Sequence, residues 1–155
     1  MPIMNIDEID QRILKELQEN ARLTNVELAD RVGLSPSPCL RRVRALEEAG
    51  VISGYKAIVN QETVGLPVSV FVMVSLEKQV EGVLEEFEKR VRDLPEVIEC
   101  YLMTGEMDYM LRIVTRDLQT YEQFLMHDLT KFPGVRGIKS SFALKQVVYR
   151  IALPV

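Results

Sequence analysis

Between residues 31 and 46 the chain carries four arginines, Arg31, Arg41, Arg42 and Arg44, and no acid. That stretch holds +4 in a chain of net charge −4, so the remainder holds −8. A guanidinium is a planar fork of donors that grips phosphate oxygens or a guanine edge bidentately, and such a cluster points to duplex DNA. The acidic balance elsewhere disfavours indiscriminate phosphate binding, since duplex affinity rests on neutralising phosphates. Other chemistries have little material. One histidine, His127, and two distant cysteines, Cys39 and Cys100, offer neither metal-ligand spacing nor a nucleophile with its base. No glycine-rich phosphate loop is present, so neither an enzyme nor a resident metal or cofactor is expected.

The arginines need a helix to aim them, and the flanking residues supply three. Asp7 and Asp10 open the first, where Ile9, Ile13, Leu14 and Leu17 recur at helical spacing up to about Asn20. Thr24-Asn25-Val26-Glu27 announces the second with a reciprocal capping box, and Gly33 ends it. Ser35 then precedes Pro36, which suits a first helical position, and the third helix runs to about Ala49 before Gly50. Two helices joined by so tight a turn form a helix-turn-helix. At 100° per residue, Cys39, Leu40, Val43, Leu46 and the stem of Glu47 share the face that packs on the first two helices. Ser37, Arg41, Ala45 and Glu48 lie opposite, with Arg42 and Arg44 on the flanks. The expected DNA-binding residues are Ser35, Ser37, Pro38, Arg41, Arg42 and Arg44, with a central arginine on a base edge and its neighbours on phosphates. Val51 to Val59 has strand composition and reads as a wing or connecting strand, with Lys56 able to meet the backbone.

Beyond a linker of Asn60 to Thr63 and Gly65-Leu66-Pro67, the chain repeats itself at a shift of 38 residues. Val80, Val83, Phe87, Val91 and Leu94 map onto Leu118, Tyr121, Leu125, Leu129 and Phe132, and Pro95 and Val97 onto Pro133 and Val135. Phe71 and Met73 map onto Tyr109 and Leu111. Each copy reads as strand, amphipathic helix, strand, and two copies joined by a hairpin at Thr104 to Asp108 make a ferredoxin-like βαββαβ sandwich. Helices cover one sheet face. The other carries Phe71, Met73, Tyr101, Met103, Tyr109 and Leu111 or their alternates, depending on register, and a second copy of the chain packed sheet to sheet is expected to cover it.

The 155 residues therefore divide into a helix-turn-helix domain over residues 1–60 and a sandwich domain over residues 61–155, an α+β chain overall. With 47% hydrophobic residues but no apolar run longer than Val70 to Val74, no membrane span is expected. Met1-Pro2-Ile3-Met4-Asn5 lacks the marks of a signal peptide, and the two cysteines read as free thiols, so the cytoplasm, at the nucleoid, is the expected compartment.

Taken in order, these residues resemble the Lrp/AsnC (leucine-responsive, or feast/famine) family of transcriptional regulators. The matching motifs are Asp7-x-x-Asp10-x-x-Ile13-Leu14, Leu28-Ala29-x-x-Val32-Gly33-Leu34-Ser35 and Arg42-Val43-x-x-Leu46-Glu47-x-x-Gly50-Val51-Ile52-x-Gly54-Tyr55. Val97-x-Glu99-Cys100-x-x-x-x-Gly105-x-x-Asp108-Tyr109 and Leu129-x-x-x-Pro133-Gly134-Val135 follow. The resemblance implies a winged helix-turn-helix followed by an amino-acid-sensing ferredoxin-like domain, and homodimers that assemble into octamers or similar rings. It places the effector near the hairpin, at contacts between dimers, against Leu102, Met103, Thr104, Gly105, Glu106 and Asp108, with Ser140 facing the site across the interface. Asp108 would accept the ammonium of an amino acid and the hairpin amides its carboxylate. The alternative is an architectural DNA-binding protein that senses nothing and recognises DNA with little sequence discrimination.

Overall fold

The computed structural model describes residues 5–155, so Met1 to Met4, where a leader was sought, lie outside the described residues. The chain divides into two compact units. One runs up to Ile58 and includes Val147–Val155; the other is Val59–Gln146. The division falls close to the expected boundary after Asn60, but the last nine residues group with the helical unit rather than with the sheet. Their tie is two-pointed: the Gln18 side-chain amide donates to the Leu153 carbonyl at 3.1 Å and accepts from its N–H at 2.6 Å.

In the helical unit, α1 (Glu8–Glu19), α2 (Asn25–Val32) and α3 (Pro36–Glu48) enclose a core of Ile13, Leu14, Leu28, Ala29, Val32, Cys39 and Leu46. Local chemistry sets each boundary. Asp7 accepts from the Ile9 and Asp10 amides while Asp10 reaches back to the Asp7 amide. Thr24 and Glu27 form the expected reciprocal box. Gly33 closes α2 at φ +75°, with the Leu34 amide on the Ala29 carbonyl at 2.8 Å, and only glycine takes that left-handed turn without strain. Ser35 precedes α3 as expected, yet its hydroxyl makes no capping bond.

Two expectations change. Leu40 is exposed rather than packed, because the core takes only Cys39 and Leu46 fully and Val43 in part. No strand forms at Val51 to Val59. The Val51 and Ile52 amides both turn back to the Leu46 carbonyl at the end of α3, and a strand exists only as a hydrogen-bonded pair.

The second unit runs β1 (Val68–Leu76), α4 (Glu81–Arg92), β2 (Val97–Leu102), β3 (Tyr109–Thr115), α5 (Leu118–Phe124) and β4 (Val135–Phe142). The sheet is antiparallel with order β2-β3-β1-β4, the ferredoxin-like arrangement. The second repeat's helix departs from the first: after Phe124 it widens into a π-helical turn, Leu125–Leu129, which carries His127. The core between sheet and helices holds Val70, Val72, Val74, Phe87, Tyr109, Leu111, Ile113, Phe124 and Phe132.

Register decides the open face. Tyr109 and Leu111 pair with Val74 and Val72 and point to the helices, so the open face carries Phe71, Met73, Tyr101 and Met110 instead. The 38-residue equivalence thus holds for β2 against β4, whereas β1 and β3 are offset by one residue. A one-residue slip moves a side chain to the other side of a sheet. Met103 lies beyond the end of β2, in the hairpin. Across the open face Arg112 pairs with Glu99 at 3.5 Å, so that surface is mixed rather than uniformly apolar.

Candidate functional site

Of the four clustered arginines, two are unpaired among the described residues. Arg31 pairs with Glu16 at 3.0 Å, and the Arg42 Nη1 reaches Asp7 at 2.7 Å and Asp10 at 2.9 Å. Arg41 and Arg44 are exposed and make no ion pair among the described residues. Three residues apart, they are neighbours on one side of α3. Ser35 and Ser37 are exposed and Pro38 half-buried at the start of the same helix. Pro36 lies beside them, and its carbonyl accepts from the Asn25 side chain at 2.8 Å, which holds the start of α3 to α2.

Arg42, expected as a flanking phosphate contact, therefore links α3 to the cap of α1 in this structure. Hydrogen bonds to Asp7 and then Asp10 raise the pKa of Arg42, and backbone donation from Asp10, then Arg42, lowers that of Asp7 from the ordinary carboxylate value. Lys56 is exposed in the segment after α3. Its neighbour Tyr55 donates to Glu47 at 2.8 Å and so tethers that segment to the end of the helix. Burial, then the Glu47 carboxylate, pushes the Tyr55 pKa up to about 12.

The β2–β3 hairpin is a second candidate site. Its neck is closed by the Met103 amide on the Asp108 carbonyl at 2.8 Å and by the Asp108 amide on the Val74 carbonyl at 2.9 Å. Gly105 sits at φ +114°, with open space where a side chain would go, so its conformation and not crowding calls for glycine. Leu102, Met103, Thr104, Gly105 and Glu106 are all exposed. The amides of Thr104 to Met107 donate to no backbone carbonyl among the described residues, which leaves them available to an anion.

Asp108 behaves differently from the expectation. It is 5% exposed, and its two oxygens accept from the Leu76 amide at 2.6 Å and from the Gln79 side chain. The carboxylate thereby fixes the hairpin to the end of β1 and is almost wholly shielded from solvent. Nor does one chain bring Ser140 to the hairpin. Ser140 lies on β4, at the opposite sheet edge from β2, and its hydroxyl bonds the Tyr121 hydroxyl beneath α5. Asp7, Asp10 and Gln79 were missed as partners. For the first two, the doubled acid at three-residue spacing was a visible signal; for Gln79 none existed.

A cleft of about 390 Å³ opens between α4 and β2, lined by Glu88, Arg92, Cys100, Leu102 and Tyr109 among others. Of the expected effector residues only Leu102 reaches it. Desolvation pushes the Cys100 thiol up to about 11, so it stays protonated at neutral pH and is a poor nucleophile.

Known proteins match both units. Residues 6–53 match a winged helix-turn-helix DNA-binding model, and residues 69–153 match the Lrp/AsnC ligand binding domain. The chain belongs to the Lrp/AsnC family. The Bkd operon transcriptional regulator of Pseudomonas aeruginosa is 52% identical over 149 residues, covering 96% of this chain and 97% of that one. The leucine-responsive regulatory protein of Escherichia coli K12 is 40% identical over 146 residues, 94% of this chain and 89% of that protein. A Neisseria meningitidis transcriptional regulator, solved as its L-Met complex, superposes with a TM-score of 0.92 at 43% identity and covers 97% of each chain. The chain is a transcriptional regulator of the Lrp/AsnC type that joins a helix-turn-helix to a ligand-binding domain. Among the described residues no helix is long and apolar enough to cross a membrane.

Proposed function

We propose that this regulator reads a duplex operator with α3 and that an amino acid bound at the β2–β3 hairpin biases its assembly. The observation that carries the DNA reading is the pair Arg41 and Arg44, exposed on α3 and without ion partners among the described residues, while Arg31 and Arg42 are paired within the fold. Arg41 and Arg44 take a guanine edge and phosphates. Ser35, Ser37, Pro38 and the first-turn amides lie along the backbone, and Lys56 adds a phosphate contact from the segment tethered by Tyr55. Replacing Arg41 and Arg44 with alanine tests this by operator titration across salt. Each lost phosphate contact flattens the plot of log K against log salt by about 0.9, and unchanged affinity refutes the assignment.

The effector is a free amino acid, and the relative solved with L-Met supports that class. The amides of Thr104 to Met107 receive its carboxylate, with Leu102 and Met103 beside the side chain. Asp108 holds the hairpin in shape. Ser140 can join only from another copy, so the site completes in the oligomer. A homodimer packed over Phe71, Met73, Tyr101 and Met110, then assembled into an octamer or similar ring in the cytoplasm at the nucleoid, fits that requirement. An effector that binds one assembly better shifts the population by its differential affinity. Calorimetry with L-Met and L-Leu, paired with sedimentation, tests this. Binding that alters the sedimentation coefficient supports it, and absence of binding across all twenty amino acids refutes it in favour of an architectural protein.

A further inference from the structure

The geometry points to Arg42 as a positioning residue that aims α3 at DNA through Asp7 and Asp10 without touching the DNA itself. This rests on α3 being the DNA-reading helix. Arg42 lies between Arg41 and Arg44 in sequence, and its Nη1 sits 2.7 Å from Asp7 and 2.9 Å from Asp10. Those carboxylates are not mobile acceptors. Asp7 already accepts the Ile9 and Asp10 amides at 3.0 and 2.8 Å, and Asp10 accepts the Asp7 amide at 3.3 Å. The capping box of α1 thus presents two oriented carboxylates, and α3 docks its one inward-turned arginine into them. The Asp10 side chain is only 5% exposed, so this pair is screened less than a surface pair.

Among the described residues Arg42 makes the only side-chain polar link between α3 and the start of α1; the rest of the α1–α3 contact is apolar and non-directional. Asn25 holds the start of α3, and Arg42 fixes its rotation half-way along. Rotation is what matters for reading. Turning a helix by one residue's worth of arc would carry Arg41 off the groove while leaving total charge unchanged.

A charge that positions and a charge that binds phosphate respond oppositely to removal of the acids. If Arg42 positions α3, changing Asp7 and Asp10 together to asparagine weakens operator binding on the order of tenfold, the scale on which a contacting network couples. Asparagine keeps the α1 cap, so the fold survives. Arg42→Ala gives the same loss, and adding it to the Asp7→Asn, Asp10→Asn variant costs nothing more. Affinity for a random-sequence duplex is retained, and the salt slope on the operator is unchanged in all three. If Arg42 instead binds phosphate, Arg42→Ala flattens the slope by about 0.9 and the asparagine variant binds more tightly because Arg42 is released.

The experiment uses the full chain, an operator duplex selected from random fragments by the wild-type protein, and a scrambled duplex. Circular dichroism at the assay temperature establishes that each variant is folded. Loss in both single-sided variants with no further loss in the combination supports the proposal; a flattened slope or tighter binding overturns it. Should Arg41→Ala and Arg44→Ala leave affinity untouched, the DNA face itself fails, and that outcome is separable from failure of the Arg42 role.

Discussion

Changing Asp108 to alanine removes both oxygens that hold the β2–β3 hairpin to the end of β1. The two donors left behind differ in their surroundings. Leu76 is 3% exposed, so its amide, now 2.6 Å from a carboxylate oxygen, would have no replacement partner. Losing a bond to a charged acceptor at a buried donor costs about 2 kcal/mol. Gln79 is exposed, and water takes over its amide at little cost. The backbone bonds at the hairpin neck, Met103 to Asp108 and Asp108 to Val74, do not involve the side chain and persist. Asparagine keeps an oxygen for Leu76 but loses the charge, so it should cost about 1 kcal/mol. For a unit of this size those losses shift the midpoint by roughly 10 °C and 5 °C. Thermal and urea unfolding followed by circular dichroism, without effector, measures both. Alanine within about 0.5 kcal/mol of wild type would refute the bracing role. So would an asparagine variant of wild-type stability that loses L-Met binding, since the carboxylate would then be a ligand group.

Two further expectations follow from local chemistry. Tyr55, raised to about 12, keeps its proton in the folded chain beyond the range where it ionises unfolded, so its contribution is present below about pH 10 and is lost as pH rises through about 12. Tyr55→Phe should therefore reduce stability at neutral pH and weaken its fall at alkaline pH, and an identical alkaline profile would count against the Tyr55–Glu47 bond. Gly33→Ala meets no atom within 4 Å, so only the left-handed φ of +75° opposes it, at about 1 kcal/mol. A neutral or stabilising effect in urea unfolding would show that the α2–α3 turn relaxes.

Much of the fold was legible because its signals are local. Thr24 and Glu27 lie three residues apart, Gly33 follows the last turn of α2, and each acts within its own turn of helix whatever surrounds it. The 38-residue repeat survived because Val83, Phe87, Val91 and Leu94 and their counterparts Tyr121, Leu125, Leu129 and Phe132 pack on one core, and the last strands share an irregularity after Val97 and between Ser75 and Leu76 opposite Val135. Patterns of that kind are properties of the chain. The open face of the sheet was not, since β1 and β3 differ by one residue in phase and only pairing of Val72 with Leu111 sets which side each residue takes.

The candidate sites divide along the same line. Sequence alone determined that a short helix bearing Arg41, Arg42 and Arg44 follows a tight turn, and that a glycine-bearing hairpin with Asp108 joins two strands. Which charges stay available was decided in three dimensions. Arg42 lies 35 residues from Asp7 and 32 from Asp10, and Asp108 lies 32 from Leu76. A charged group takes the oriented partner that folding brings closest, because the attraction grows as solvent is excluded and distance shrinks. Helical phase could put three arginines on the outer half of α3; only the packing of α3 against the cap of α1 turned one of them inward.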